Sequence, residues 1–102
     1  MIQINGTITL APGTIANAPE TVDAIKTMVA ASRAEEGCLD YTFAQDLSDP
    51  DSIVIFERWT DMDALGAHGK SAHMAEFQKA MAANPAVARN LTMYQTDEGK
   101  PI

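Results

Sequence analysis

The sequence predicts an α+β fold, an antiparallel sheet with helices packed on one of its faces. Three observations lead there. Period-two alternation recurs in short segments at the start, middle and end of the chain, helical periodicity fills the stretches between, and turn residues punctuate each change of period. At 102 residues the chain has room for one core and no second lobe.

Ile2 to Leu10 sets Ile2, Ile4, Gly6, Ile8 and Leu10 on one face and Gln3, Asn5, Thr7 and Thr9 on the other, a strand with one dry side. Ala11-Pro12-Gly13-Thr14 ends it with turn chemistry. Pro19 suits a first helical position, where its missing N–H costs nothing. Val22, Ile25, Val29 and Ser32 then recur at helical spacing, flanked by Met28, until Gly37 stops the helix. Glu35 and Glu36 fall at the carbonyl end, where the helix dipole disfavours anions, and nothing in the sequence accounts for them. Leu39, Tyr41 and Phe43 share one face of a second strand, opposite Asp40 and Thr42. Residues 46–52 are expected to form a polar, proline-bearing hairpin loop. In the third strand, Ile53 to Thr60, one parity carries Ile53, Ile55, Glu57 and Trp59 and the other Val54, Phe56 and Arg58. Both faces are apolar in its first half, so cover is expected on both sides.

Asp61 can cap a short helix that runs to about His68 and closes at Gly69. Ser71 caps the next, which places His73, Phe77, Ala80 and Met81 on one stripe and ends at Asn84-Pro85. Val87 to Gln95 is the last strand, with Leu91 and Met93 on its drier face. Residues 1–96 thus form one domain, followed by a loosely held tail, 97–102. The order is that of a ferredoxin-like βαββαβ unit with an extra short helix. Its helices cover one sheet face only, so a second copy of the chain is the expected cover for the other.

Seven Lys and Arg stand against fourteen Asp and Glu, a formal net charge of −7, and the cations form no patch. Nucleic acid and anionic membrane surfaces are therefore not expected partners. No apolar run approaches the roughly 20 residues needed to span a bilayer, and residues 1–10 do not read as a signal peptide. The single cysteine, Cys38, fits a reducing cytoplasm. There is no glycine-rich phosphate loop, and two histidines without His-x-x-x-His spacing or paired cysteines make a poor metal site. No metal or cofactor is expected.

The segment from Glu57 to Met81 holds the only tryptophan, Trp59, and both histidines, His68 and His73. Histidine exchanges a proton near neutral pH, so an indole beside two imidazoles suggests a pocket for a flat ligand that loses a proton. The alternative is a core tryptophan with two incidental histidines. On one continuous helix, five residues turn through about 500°, so the two rings would diverge unless the break at Gly69 redirects them.

Gly37-Cys38-Leu39-Asp40-Tyr41, the Asp49-Pro50 hairpin, Glu57-Arg58-Trp59, Ala64-Leu65 and His68 with His73 together resemble the antibiotic biosynthesis monooxygenase superfamily of small dimeric α+β-barrel proteins. The resemblance implies a homodimer. It also points to a cofactor-independent monooxygenase acting on a small aromatic quinol, phenol or polyketide-like substrate with dioxygen. Isomerases of small molecules and non-catalytic binding proteins share the fold and remain open. The haem-degrading branch is disfavoured, because Gly6 stands at its strand asparagine, His68 at its helix tryptophan and Gln78 at its iron-ligating histidine. In this reading His73 is the candidate base and His68 a second polar group, with Trp59, Tyr41 and Phe77 as pocket walls. Glu57 either holds an imidazole in one tautomer or pairs with Arg33 or Arg89.

Overall fold

The structure is a computed structural model that describes residues 1–102. Its strands are β1 (Ile2–Thr9), β2 (Cys38–Asp46), β3 (Asp49–Trp59) and β4 (Ala88–Gln95), and its helices α1 (Thr14–Asn17), α2 (Pro19–Arg33), α3 (Met62–Gly69) and α4 (Ala72–Met81). The strands form one sheet in the order β2-β3-β1-β4, antiparallel throughout. This is the expected ferredoxin-like arrangement, with α1 as one further turn of helix after β1. Within one chain the sheet is open, with β2 and β4 as its edges. No helix is long and apolar enough to cross a membrane.

Strand parity decides what each face offers. Ile2 pairs with Trp59, Ile4 with Glu57 and Ile8 with Ile53, and Tyr41 lies opposite Glu57, so these residues share the helix-covered face. Ile2, Ile8, Tyr41, Ile53, Ile55 and Trp59 are buried there against Ile25, Met28 and Val29 of α2. The opposite parity leaves Val54, Phe56 and Arg58 on a face that no helix covers, beside Gln3, Asn5, Thr42 and Tyr94.

Several elements depart from the alternation. Cys38 pairs with Trp59 and Asp40 with Arg58, so Leu39 is an extra residue in a β-bulge and is 43% exposed. The bulge inverts the local parity, so Cys38 rather than Leu39 shares a face with Tyr41. The expected hairpin loop is strand for most of its length. The turn is Leu47-Ser48, held by Ser48 N–H donating to Asp46 Oδ1 and Asp51 N–H to Asp49 Oδ1. In α2 the buried stripe begins at Thr21 rather than Val22. In α4, Ala80 is exposed and Met74 is half-buried in its stead; the helix packs along α2, and Phe77 meets Phe43 of the sheet edge to face. Met93 of β4 is 52% exposed and Leu91 half-buried, so the drier face of β4 is only partly dry.

Helix α2 ends at Arg33, before the expected stop. Glu35 N–H donates to Ser32 O and Cys38 N–H to Glu35 O, winding residues 34–37 into a tight turn. Gly37 closes it at φ +83°, where a Cβ would stand 2.6 Å from Ala64 Cβ and 2.8 Å from Thr60 Oγ1. Only glycine fits both that backbone and that close approach of α3. The turn carries Glu35 off the helix and beneath α3 and α4.

Candidate functional site

The two histidines meet on Glu35. Its Oε2 lies 2.6 Å from His68 Nδ1 and 3.0 Å from His73 Nε2, and the ring centroids are 5.9 Å apart. Two helix caps make this possible. Asp61 Oδ1 accepts from Ala64 N–H and starts α3, which delivers His68 in its last turn. Ser71 Oγ–H donates to His68 O while accepting from Met74 N–H, so it ends one helix and starts the next. The chain redirects at that point, and the divergence expected of a continuous helix is undone.

A carboxylate oxygen only accepts, so His68 Nδ1–H and His73 Nε2–H both donate to Glu35. A neutral His68 then has its lone pair on Nε2, 3.3 Å from the Tyr41 hydroxyl. Burial, with the Glu57 charge as a second cause, pushes the Tyr41 phenol far above its ordinary range. Tyr41 therefore stays neutral and donates its O–H to His68. The result is a chain of hydrogen bonds, Tyr41 to His68 to Glu35, with His73 joining from the other side. His73 Nδ1 is left as the nitrogen with a free lone pair.

The predicted residues divide into two groups. His73 and Phe77 line a cleft of about 320 Å³ between α2 and α4, together with Ala24, Thr27, Met28, Glu76 and Ala80. Phe77 also lines a second cleft, of about 250 Å³, beyond α4 with Ile8, Gln78, Met81 and Arg89. The other four pack behind that wall. Trp59 is 0% exposed and Tyr41 2%, so neither side chain offers a face to a ligand in this conformation. Trp59 lies 4.7 Å from His68, centroid to centroid, and Tyr41 stacks on Phe43. These two rings support the imidazole instead of forming a pocket wall. Two wider depressions, of about 480 and 500 Å³, lie beside the C-terminal segment and contain no histidine.

Glu57 does neither of the things expected of it. Its Oε1 accepts from Trp59 Nε1–H at 3.0 Å, while Arg33 Nε donates to the Tyr41 carbonyl. Burial raises the Glu57 carboxyl above the usual carboxylate range, partly offset by the Trp59 hydrogen bond and the nearby His68. The residue that sequence reasoning passed over is Glu35. Its only signal was an anion placed where a helix dipole disfavours it. Cys38 is a poor nucleophile here, since burial and neighbouring carboxylates push its thiol up.

Comparison with known proteins gives the chain its family. In sequence, the chain is 35% identical over 52 residues to the uncharacterized protein sll1783 of Synechocystis. That match takes in 51% of this chain and 35% of the length of the curated relative. Among solved structures, PA3566 from Pseudomonas aeruginosa is 33% identical, covering 97% of this chain and 94% of that one with a TM-score of 0.75. A candidate antibiotic biosynthesis monooxygenase from Deinococcus radiodurans superposes on 100% of this chain and 98% of its own at a TM-score of 0.83. At 24% identity it is a likeness of fold. The family model for antibiotic biosynthesis monooxygenases matches residues 1–80, from β1 through Glu35, His68 and His73 into α4, and the chain belongs to that family.

Proposed function

We propose that this protein is a cofactor-independent monooxygenase that oxidises a small aromatic quinol, phenol or polyketide-like substrate with dioxygen, with His73 as the base. The observation that carries the reading is the His73 Nε2–H···Oε2 Glu35 hydrogen bond at the wall of the α2–α4 cleft. A carboxylate behind an imidazole fixes one tautomer and stabilises the imidazolium that forms when the other nitrogen takes a proton. Phe77, Ala24 and Ala80 give the cleft an apolar lining that suits a flat ring.

The chemistry asks little else of the protein. For a substrate with an acidic ring CH2, His73 Nδ1 takes one proton and leaves an electron-rich anion. The anion passes one electron to dioxygen, and the radical and superoxide combine into a peroxide. His73 returns its proton to the peroxide, then takes the second C–H proton as the O–O bond breaks, giving a ring carbonyl and hydroxide, which the imidazolium protonates to water. The balance is CH2 + O2 → C=O + H2O, so the substrate supplies every electron.

The family's fold and the bare sheet face favour a homodimer as the working unit. Val54, Phe56 and Tyr94 lie on that face, and a second copy would complete the barrel that one open sheet cannot. The test is an oxygen-electrode screen of hydroquinones, naphthoquinols and anthrones, with product and oxygen counted together. One oxygen consumed per carbonyl formed, lost in His73→Ala, is the expected result. Turnover that persists under argon would replace the reading with an isomerase, and ligand binding without turnover would replace it with a binding protein.

A further inference from the structure

We infer that Glu35, His68 and His73 form a binding site for a zinc-type divalent cation. The spacing argument against a metal counted only two donors. Folding supplies a third, because the turn after α2 aims the Glu35 carboxylate between the two rings. One carboxylate oxygen, His68 Nδ1 and His73 Nε2 all lie within 4.8 Å of one another. Zn–N and Zn–O bonds of about 2.0–2.2 Å put neighbouring tetrahedral donors about 3.3–3.5 Å apart. The oxygen now sits 2.6 and 3.0 Å from the two nitrogens, so it must retreat by about 0.7–0.9 Å from the His68 nitrogen and about 0.3–0.5 Å from that of His73.

Two further features suit a cation. Tyr41 stands 3.3 Å from the remaining nitrogen of His68, the outer hydrogen bond that orients a ligating imidazole. His73 lines the cleft, so the site borders a space that water or a small anion can enter. Two imidazoles and one carboxylate select zinc, cobalt or iron(II) over magnesium or calcium, which favour oxygen donors.

Occupation has a consequence for the base, and this part alone rests on the proposed oxygenase reading. A neutral imidazole has one lone pair for a proton or a metal. Once Nε2 binds the cation, Nδ1 carries the hydrogen and accepts nothing, so zinc binding and proton abstraction by His73 exclude each other.

The experiment is equilibrium dialysis and calorimetry with zinc chloride on the full chain, repeated with cobalt(II) for its visible absorption. One equivalent per chain, a rise in melting temperature and a four-coordinate cobalt spectrum are expected. Glu35→Gln and His73→Ala should abolish that equivalent, and Tyr41→Phe should weaken it by about 10–100-fold. Circular dichroism without zinc verifies that each variant folds. His73 is 23% exposed at its side chain, so its replacement leaves the core intact. Absence of stoichiometric binding overturns the inference, and so does unchanged binding in the folded His73→Ala variant, which marks adventitious chelation by surface acids. Zinc that binds at one equivalent without slowing an active oxygenase would retain the site and refute the His73 base.

Discussion

Replacing Glu35 with glutamine tests the site most directly, because it removes a charge while keeping the side chain's shape. In the wild type one oxygen accepts two N–H groups at 2.6 and 3.0 Å, with Glu35 only 17% exposed at its side chain. Hydrogen bonds to a charged group contribute about 1.5–3 kcal/mol, roughly twice the neutral kind. The amide oxygen still accepts, more weakly, and the partial exposure of His73 reduces the difference further. A stability loss of about 1–2 kcal/mol follows, and each kcal/mol lowers the melting temperature by about 4–8 °C in a domain of this size. The effect on turnover is larger. Without a counter-charge the His73 imidazolium is no longer stabilised, and an amide turned the other way imposes the wrong tautomer. Turnover on an active quinol should fall about 10²–10⁴-fold with little change in KM, equivalent to about 3–5 kcal/mol at 1.36 per decade. Oxygen uptake and melting should be measured on the same preparations. A variant that melts lower but turns over at the wild-type rate would show that Glu35 is structural and that His73 is not the base it supports.

Three other perturbations have definite outcomes. Burial raises the Glu57 carboxyl, so its neutral form is favoured on folding; that stability is full below the unfolded carboxylate range and is lost as pH rises through the raised folded value. Glu57→Gln should therefore melt higher than the wild type at pH 7, with the gap closing toward about pH 4, as calorimetry at several pH values would show. Gly37→Ala puts a methyl 2.6 Å from Ala64 Cβ at a left-handed φ of +83°, and it should cost about 2–5 kcal/mol in urea unfolding. Val54→Asp places a charge on the uncovered sheet face, where Val54 is 41% exposed in the single chain. For the proposed homodimer, light scattering should then fall from twice the chain mass to about the 10.9 kDa of one chain, with the circular dichroism spectrum unchanged.

Alternation was a sound guide wherever strands run regularly. The parity of Ile53, Ile55, Glu57 and Trp59 follows from period two alone, and the pairing with β1 preserves it over eight residues. The same rule failed at Leu39, because a bulge adds one residue and inverts every side chain before it, and Leu39 is as apolar as the residues it was grouped with. It also failed to set the dryness of β4. Whether Leu91 and Met93 are covered depends on which helices sit over β4, which is a property of helix packing that a strand's own sequence does not contain. Trp59 and Tyr41 were recognisable as partners of the histidines, but their depth was not: a large ring near a site reads the same in sequence whether it lines the opening or packs behind it.

The site itself shows where local reasoning stops and why. Glu35 lies 33 residues from His68 and 38 from His73, so no spacing rule connects them. The arithmetic that made the two rings diverge was correct for one helix, and Ser71 changes the premise. By donating to His68 O and capping α4 it breaks the axis between the rings, so His68 offers Nδ1 and His73 Nε2 to one oxygen. What the sequence did contain was a conflict: an acid at the carbonyl end of a helix, with no local partner to stabilise it. Elsewhere Pro19 takes a first helical position and Asp61 and Ser71 cap α3 and α4; of the two acids, Glu36 stays exposed and Glu35 alone meets a partner from elsewhere in the chain. Glu35 stands at the carbonyl end of its own helix, and two imidazoles from the far half of the chain donate to its carboxylate there.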